Sequence, residues 1–139
     1  GVKLFEGCQG YENGGQTRDF ISIEDVVRVN MHFFDNHTQK PDELSGIFNC
    51  GTGVARSFND LALATINACR KAEGNNPIDL ATAVTQGILE YTPFPGDLAG
   101  KYQCFTQSNN TRLIKEGGYK AGFLTLEQGV ENYVKLLLG

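Results

Sequence analysis

Short strands alternating with helices predict an α/β fold for this chain of 139 residues, on three observations. Strand-to-turn-to-helix or turn-to-helix units recur along the sequence, in an order that fits neither a bundle nor a sandwich. Their helices carry apolar residues at helical spacing behind recognisable caps. With 40% hydrophobic and 20% charged residues the composition is that of a globular protein. A chain near this length buries roughly 68–70% of its unfolded surface, enough to own a core. No repeat, low-complexity tract or interior linker interrupts it, so residues 1–139 read as one region.

The first element is a short strand ending in Phe5-Glu6-Gly7-Cys8, before a loop rich in Gly10, Gly14 and Gly15. Arg18 then heads a β-prone run, 18–23, through Phe20, Ile21 and Ile23. That run passes directly into a helix over about 23–37, with Ser22 and Asp25 at capping-box spacing. Val26, Val29 and Phe33, with Val27, Met31 and Phe34, give this helix a broad apolar face.

The second unit is a strand at Ile47-Phe48-Asn49-Cys50, the turn Gly51-Thr52-Gly53, and a helix capped by Ser57 with Asp60 three residues on. Leu61, Thr65, Ala68 and Ala72 share one side of that helix. The breaker cluster Glu73-Gly74-Asn75-Asn76-Pro77 ends it, and a short helical stretch, Leu80 to Thr85, reads as a surface insertion. Ile88 to Thr92 form a third strand, stopped by Pro93 and Pro95. A loop carrying Lys101-Tyr102-Gln103 follows, then a short helix from Asn109 to Lys115 that ends at Gly117-Gly118. Thr125-x-x-Gln128 caps a final helix with a docking stripe of Leu126, Val130, Tyr133, Val134 and Leu137.

Bulk properties exclude several functions. A net charge of −4 with no stripe of Lys and Arg argues against nucleic-acid binding. No apolar run is long enough to span a bilayer and no leader is visible, so a cytoplasmic protein is expected. Cys8, Cys50, Cys69 and Cys104 stand far apart without a Cys-x-x-Cys pair, and are expected as reduced thiols. His32 and His37 have no third ligand at helical or hairpin spacing, which makes a metal site improbable. Glu24 and Asp25 are adjacent and point to different helix faces, so they do not make an acid/base pair.

Four places could carry chemistry. Arg18 offers a guanidinium fork matched to phosphate oxygens, or else pairs with Asp19 or Asp25. The Phe5 to Cys8 turn could set an aromatic face and free amides beside a ligand, or Phe5 could be core. Tyr102 could donate to a sugar or phosphate oxygen, or anchor its loop through its hydroxyl. Gly51-Thr52-Gly53 lacks the third glycine of a dinucleotide fingerprint, Arg56 standing in its place, and is rejected as a cofactor site, although Arg56 could still face a cleft. No Gly-x-Gly-x-x-Gly turn and no Tyr-x-x-x-Lys pair occurs anywhere.

Leu4-Phe5-Glu6-Gly7, Arg18-Asp19-Phe20-Ile21-Ser22-Ile23-Glu24-Asp25-Val26-Val27 and Gly46-Ile47-Phe48-Asn49-Cys50-Gly51-Thr52-Gly53 together resemble the C-terminal half of extended short-chain dehydrogenase/reductases, the NAD-dependent epimerase/dehydratase family. Glu90-Tyr91-Thr92-Pro93-Phe94-Pro95, Lys101-Tyr102-Gln103-Cys104-Phe105-Thr106 and Ala121-Gly122-Phe123-Leu124-Thr125 narrow the resemblance to its ADP-heptose epimerases. Cys8 stands where a hydroxyl-bearing residue is expected.

The resemblance implies the substrate-binding portion of a Rossmann-type enzyme. The dinucleotide-binding domain, with its NADP and its catalytic Tyr and Lys, would lie upstream, so no catalytic, cofactor-binding or metal residue is expected in this chain. It further implies inversion at C6 of an ADP-linked manno-heptose through a transient 6-keto intermediate, in making lipopolysaccharide core precursors. Phe5, Glu6, Gly7, Cys8, Arg18 and Tyr102 would contact the ADP-sugar, with Arg18 and Tyr102 on the diphosphate. The full-length form would be a homo-oligomer, and the partner of this region its own Rossmann domain. The corresponding region of another nucleotide-sugar epimerase or dehydratase, or a non-catalytic nucleotide-sugar-binding module, are the competing readings.

Overall fold

The computed structural model describes residues 1–37, 44–98 and 100–139. In chain order its elements are β1 (Val2–Phe5), β2 (Thr17–Arg18), α1 (Ile23–His37), β3 (Arg56–Ser57), α2 (Phe58–Ala72), α3 (Leu80–Thr85), β4 (Leu89–Thr92), a 3-10 turn (Gly96–Leu98), α4 (Thr111–Lys115) and α5 (Leu126–Leu138). Mixed helices and short strands agree with the α/β expectation.

The strands form two pairs. β1 and β4 run parallel, in a register that sets Val2 opposite Leu89 and Phe5 opposite Thr92. β2 and β3 are antiparallel, with Thr17 opposite Ser57 and Arg18 opposite Arg56. On its other side Thr17 bridges to Phe105: its amide donates to the Cys104 carbonyl at 2.9 Å, and its own carbonyl accepts from the Thr106 amide at 3.2 Å. Arg18 is thereby held between the start of α2 and the segment that carries Tyr102.

Two apolar clusters stabilise this arrangement. Ala62 and Ile66 of α2, Ala83 of α3 and Leu89 of β4 are buried together, with Val2, Leu4, Ile78 and Tyr91 packed around them. Val29 of α1, Leu113 of α4 and Tyr119 form the second cluster, with Phe33, Phe48 and Phe123. Leu89 and Leu113 are wholly buried, and burying each contributes about 2 kcal/mol.

Local signals placed most helices. Ser57 and Asp60 make the expected capping box: Oγ of Ser57 accepts from the Asp60 amide at 3.0 Å, and the Asp60 carboxylate accepts from the Ser57 amide at 3.0 Å. Thr125 and Gln128 do the same for α5. Replacing Ser57 by alanine leaves the Asp60 amide at the head of α2 without its partner, and is expected to lower stability by about 1 kcal/mol. A urea midpoint unchanged by Ser57→Ala would contradict that assignment.

Several expectations are corrected. The strand expected over 18–23 is only Thr17–Arg18, because residues 19–22 have no neighbouring strand. The capping box of Ser22 and Asp25 does not form. Ser22 Oγ accepts from the Glu24 amide at 3.3 Å, while Asp25 is drawn into the interior, where it pairs with Arg28 at 3.2 Å and accepts from the Leu124 amide at 2.9 Å.

Residues 47–50 pair with no strand among the described residues, and Ile47 is 85% exposed. The 80–85 helix is not a surface insertion, since Ala83 is fully buried. On α2 the innermost residues are Ala62 and Ile66, one position on from the side the sequence favoured. Of the α5 stripe Val134 is buried, but Tyr133 and Leu137 are exposed. The broad face of α1 splits likewise: Val29 turns inward, while Ile23, Val27, Met31 and Phe34 face outward.

α5 packs along α2, and ion pairs from Arg56 to Glu127 at 2.7 Å and from Lys71 to Glu131 at 2.8 Å bridge the two helices. Hydrogen bonds from Lys135 and Lys71 push the Glu131 carboxyl down to about 2.

Candidate functional site

The β2–β3 pairing brings two arginines side by side with opposite fates. Arg56 is consumed structurally: Nε meets Asp60 at 3.2 Å and Nη2 meets Glu127 at 2.7 Å, and it lines a hollow of about 490 Å³ between α2 and α5 with its charge already paired. Arg18 pairs with no carboxylate among the described residues. Its one hydrogen bond there runs from Nη1 to its neighbour's Thr17 carbonyl at 2.9 Å. Both carboxylates that could have neutralised it are engaged elsewhere, Asp25 by Arg28 and Leu124, and Asp19 by the turn after residue 50.

Arg18 is instead flanked by aromatic rings. Its Cζ lies 5.1 Å from the Tyr102 ring centroid and 5.9 Å from that of Phe58, the range of cation–π attraction. Phe94 then joins Tyr102 edge-on at 5.3 Å, and Phe5 joins Phe94 at 5.5 Å. A row of rings therefore connects Phe5 to the guanidinium. Phe5, at 37% exposure, is not core. The Tyr102 hydroxyl makes no hydrogen bond among the described residues, so it does not anchor the loop.

A cleft of about 150 Å³ opens along this row, lined by Lys3, Leu4, Phe5, Gln16, Phe58 and Tyr102. The Glu6 to Cys8 turn follows Phe5 directly and is braced by Gln16, one of the residues lining the cleft. Gln16, 2% exposed, donates from Nε2 to the Glu6 carbonyl at 3.0 Å and toward Cys8 Sγ at 3.5 Å. The Gly7 amide donates to Asn13 Oδ1 at 2.9 Å, and a Cβ on Gly7 would collide with the Tyr11 carbonyl. Glu6 is exposed. Of the six candidate residues Phe5 and Tyr102 line the cleft, Arg18 stacks against two of its lining rings, and Glu6, Gly7 and Cys8 lie in the adjoining turn that Gln16 braces.

Gln16, Phe58 and Phe94 were not foreseen. Gln16 carries no motif, and Phe58 is masked in sequence by the cap that precedes it. Phe94 lies in the Pro93-Phe94-Pro95 stop, a segment that carries the family resemblance without assigning Phe94 a role at the site.

The turn Gly51-Thr52-Gly53 resembles an anion cradle, and a carboxylate fills it. Asp19 Oδ1 accepts from the Thr52 amide at 2.8 Å and its hydroxyl at 2.6 Å, while Oδ2 accepts from the amides of Gly53 at 2.8 Å and Ser108 at 2.9 Å. A Cβ on Gly51 would stand 2.7 Å from Oδ2, which explains that glycine without a ligand. Burial alone would raise the Asp19 carboxyl, but the Thr52 hydroxyl and the three amides outweigh it and hold it below its ordinary value. An NADP pyrophosphate does not fit there, since its donors are taken and an ionised carboxylate would repel it.

A larger hollow of about 660 Å³ lies beyond this turn, between Thr52 and Lys115. Its polar groups tie the turn together: Gln107 donates to the Gly53 carbonyl at 2.6 Å and Asn110 to the Gly51 carbonyl at 2.7 Å. His32 is a packed helix histidine, its Nε2 2.7 Å from the Gly117 carbonyl oxygen; the His37 side chain lies outside the described residues. Among the described residues no three His, Cys, Asp or Glu side chains converge on a cation site, and no helix is long and apolar enough to cross a membrane.

Over 137 residues, 99% of its length, the chain is 51% identical to the ADP-L-glycero-D-manno-heptose-6-epimerase of Thiobacillus denitrificans. The chain is similar to a heptose epimerase. It spans 40% of that relative's length. No family model matches the chain. The identity is high enough that the backbone carrying Phe5, Arg18 and Tyr102 is expected to be shared with the epimerase, and it agrees with the resemblance drawn from the Arg18 to Val27 and Tyr91 to Pro95 segments.

Proposed function

We propose that this chain is the nucleotide-sugar-binding portion of an NADP-dependent, cytoplasmic epimerase of the extended short-chain dehydrogenase/reductase type, one that inverts C6 of ADP-glycero-manno-heptose on the route to lipopolysaccharide core heptose. One observation carries the reading: a guanidinium with no carboxylate partner among the described residues stands between two aromatic walls of a cleft, in a chain half identical to a heptose epimerase.

Each residue has a chemical share in that binding. Arg18 supplies charge-assisted donors to the diphosphate, and the Tyr102 hydroxyl adds one more. Phe5 and Phe94 offer ring faces and edges to the nucleotide. Glu6, exposed and acceptor-only when ionised, suits sugar hydroxyls better than phosphate, and the Gly7–Cys8 backbone borders the sugar.

Size limits the role. Sites for small molecules usually enclose about 300–1,000 Å³. At about 150 Å³ this cleft accommodates the diphosphate and one flanking group, and the remainder of the ligand lies along its open side. We assign the missing walls, NADP and the catalytic residues to the rest of a longer protein. The exposed Ile47 and the outward face of α1 (Ile23, Val27, Met31, Phe34) are the surfaces it would cover, because they leave apolar side chains in contact with water.

The test is a chimera joining the unmatched part of the Thiobacillus relative to this chain. Epimerisation of ADP-heptose is expected from the chimera and not from the chain alone. Turnover by the isolated chain would contradict the division of labour, and a folded chimera that binds NADP yet leaves ADP-heptose unchanged would contradict the assigned substrate.

A further inference from the structure

Cys8 and Cys104 are 96 positions apart in sequence, yet their sulfurs lie 3.5 Å apart. Cys104 is buried at 7% exposure, and Cys8 is half-buried in the turn after Phe5. The remaining two thiols, Cys50 and Cys69, are exposed and take no part in this contact. We propose that Cys8 and Cys104 are an oxidation site, which a hydroperoxide converts to a disulfide that staples the Glu6 to Tyr11 turn to the Tyr102–Cys104 segment.

The surroundings assign different roles to the two sulfurs. Burial pushes the Cys104 thiol up, the Cys8 thiol beside it adds to that, and the charge of Arg18 only partly offsets them. Cys104 is therefore both protonated and enclosed, and the less buried Cys8 is the sulfur that an oxidant reaches. Gln16 Nε2, 3.5 Å from Cys8 Sγ, can donate to a sulfur that gains negative charge.

The chemistry balances with one equivalent of hydrogen peroxide. Cys8 Sγ gives up its proton and attacks a peroxide oxygen; the O–O bond breaks, and the departing hydroxide takes up a proton as the first water. Cys104 Sγ then attacks the sulfenic sulfur; the S–S bond forms, the S–O bond breaks, and the second hydroxide leaves with the Cys104 proton as water. Two thiols are oxidised by two electrons and the peroxide is reduced to two waters.

Closing from 3.5 Å to a bond of about 2.0 Å requires movement of the more mobile partner. Cys104 is fixed by its carbonyl bond to Thr17. Cys8 opens a turn in which Gln9 and Gly10 both take positive φ and the Tyr11 amide donates back to the Cys8 carbonyl at 3.1 Å, so the turn is the part that shifts. It already touches the opposite segment, where Gln9 Nε2 reaches the Tyr102 carbonyl at 3.4 Å.

The experiment is non-reducing tryptic mapping of the whole chain after brief exposure to hydrogen peroxide, with free thiols alkylated first. The peptide spanning 4–18 is expected linked to that spanning 102–112, and dithiothreitol is expected to separate them. Hydrogen exchange at residues 7–11 is expected to slow in the oxidised wild type and to stay unchanged in peroxide-treated Cys104→Ser. Cys8 recovered as sulfinic acid or linked to Cys50 or Cys69, with Cys104 still alkylatable after denaturation, would overturn the proposal; so would a linked pair whose turn exchanges as fast as in the reduced chain.

Discussion

Arg18→Ala lowers the affinity of this chain for ADP by about 10- to 100-fold in titration calorimetry, the equivalent of losing charge-assisted hydrogen bonds worth roughly 1.5–3 kcal/mol. The expectation rests on the contrast between the two arginines that face each other across the β2–β3 pair. Arg56 has two carboxylates within 3.2 Å and behaves as a tie between helices. Arg18 has none among the described residues and is backed by two rings.

Those rings make the charge available instead of neutralising it, since a ring face attracts a cation without supplying an anion. Truncating Arg18 also removes that stacking, at a cost of about 0.5–1 kcal/mol in stability, so unfolding of the variant must be followed alongside binding. Arg18→Lys separates the two effects: it keeps the charge, loses the planar fork, and should bind ADP with intermediate affinity. Equal ADP affinity in wild type and Arg18→Ala would remove the diphosphate role.

Asp19→Ala is expected to be the most damaging single truncation near the site, lowering stability by about 2–4 kcal/mol in denaturant unfolding. One carboxylate accepts from Thr52 twice, from Gly53 and from Ser108, and so joins the turn after residue 50 to the segment after Thr106. Its amide also donates to Thr106 Oγ1 at 3.3 Å. These bonds fix the backbone next to Arg18, so the variant should lose ADP affinity as a secondary effect.

The pH dependence follows from the same bonds. The folded-state pKa of Asp19 is lowered from its ordinary value of 3.8, so between the two values the unfolded chain binds the proton more readily. The stabilisation is therefore fully present above the unfolded value and fades as pH falls through the folded one. Asp19→Asn should flatten that part of the acid limb. An acid limb identical to wild type, or Asp19→Ala unfolding at the wild-type midpoint, would show that the turn does not depend on the carboxylate.

How much of this could be read in the sequence depended on whether the signal was local. Helix α3 fell on Leu80 to Thr85 because Asp79 and the breaker cluster before it act within a few residues. The caps at Ser57 and Thr125 formed for the same reason. Where a distant residue competed, the local rule lost. Asp25 has the spacing of a capping residue, but the Leu124 amide, 99 positions away, takes its carboxylate into the interior.

Residues 47–50 have strand composition and no strand, because propensity cannot substitute for a partner's backbone. The parallel register of β1 with β4, which sets Phe5 at the cleft, joins positions nearly ninety apart and leaves no mark on either segment alone. The contact of Cys8 with Cys104 was illegible on the same ground. Residue chemistry raised the six candidates with structural alternatives beside them and the resemblance of motifs gave them roles, while the rings of Phe58 and Phe94 and the brace from Gln16 emerged only once the chain was folded.

The measurement that bears most directly on the central claim is titration of the wild-type chain with ADP and, separately, with adenosine. Recognition of the diphosphate by Arg18 predicts saturable binding of ADP that weakens as salt is raised, and no comparable binding of adenosine. Equal affinities for the two, or no ADP binding by a chain shown to be folded, would contradict it.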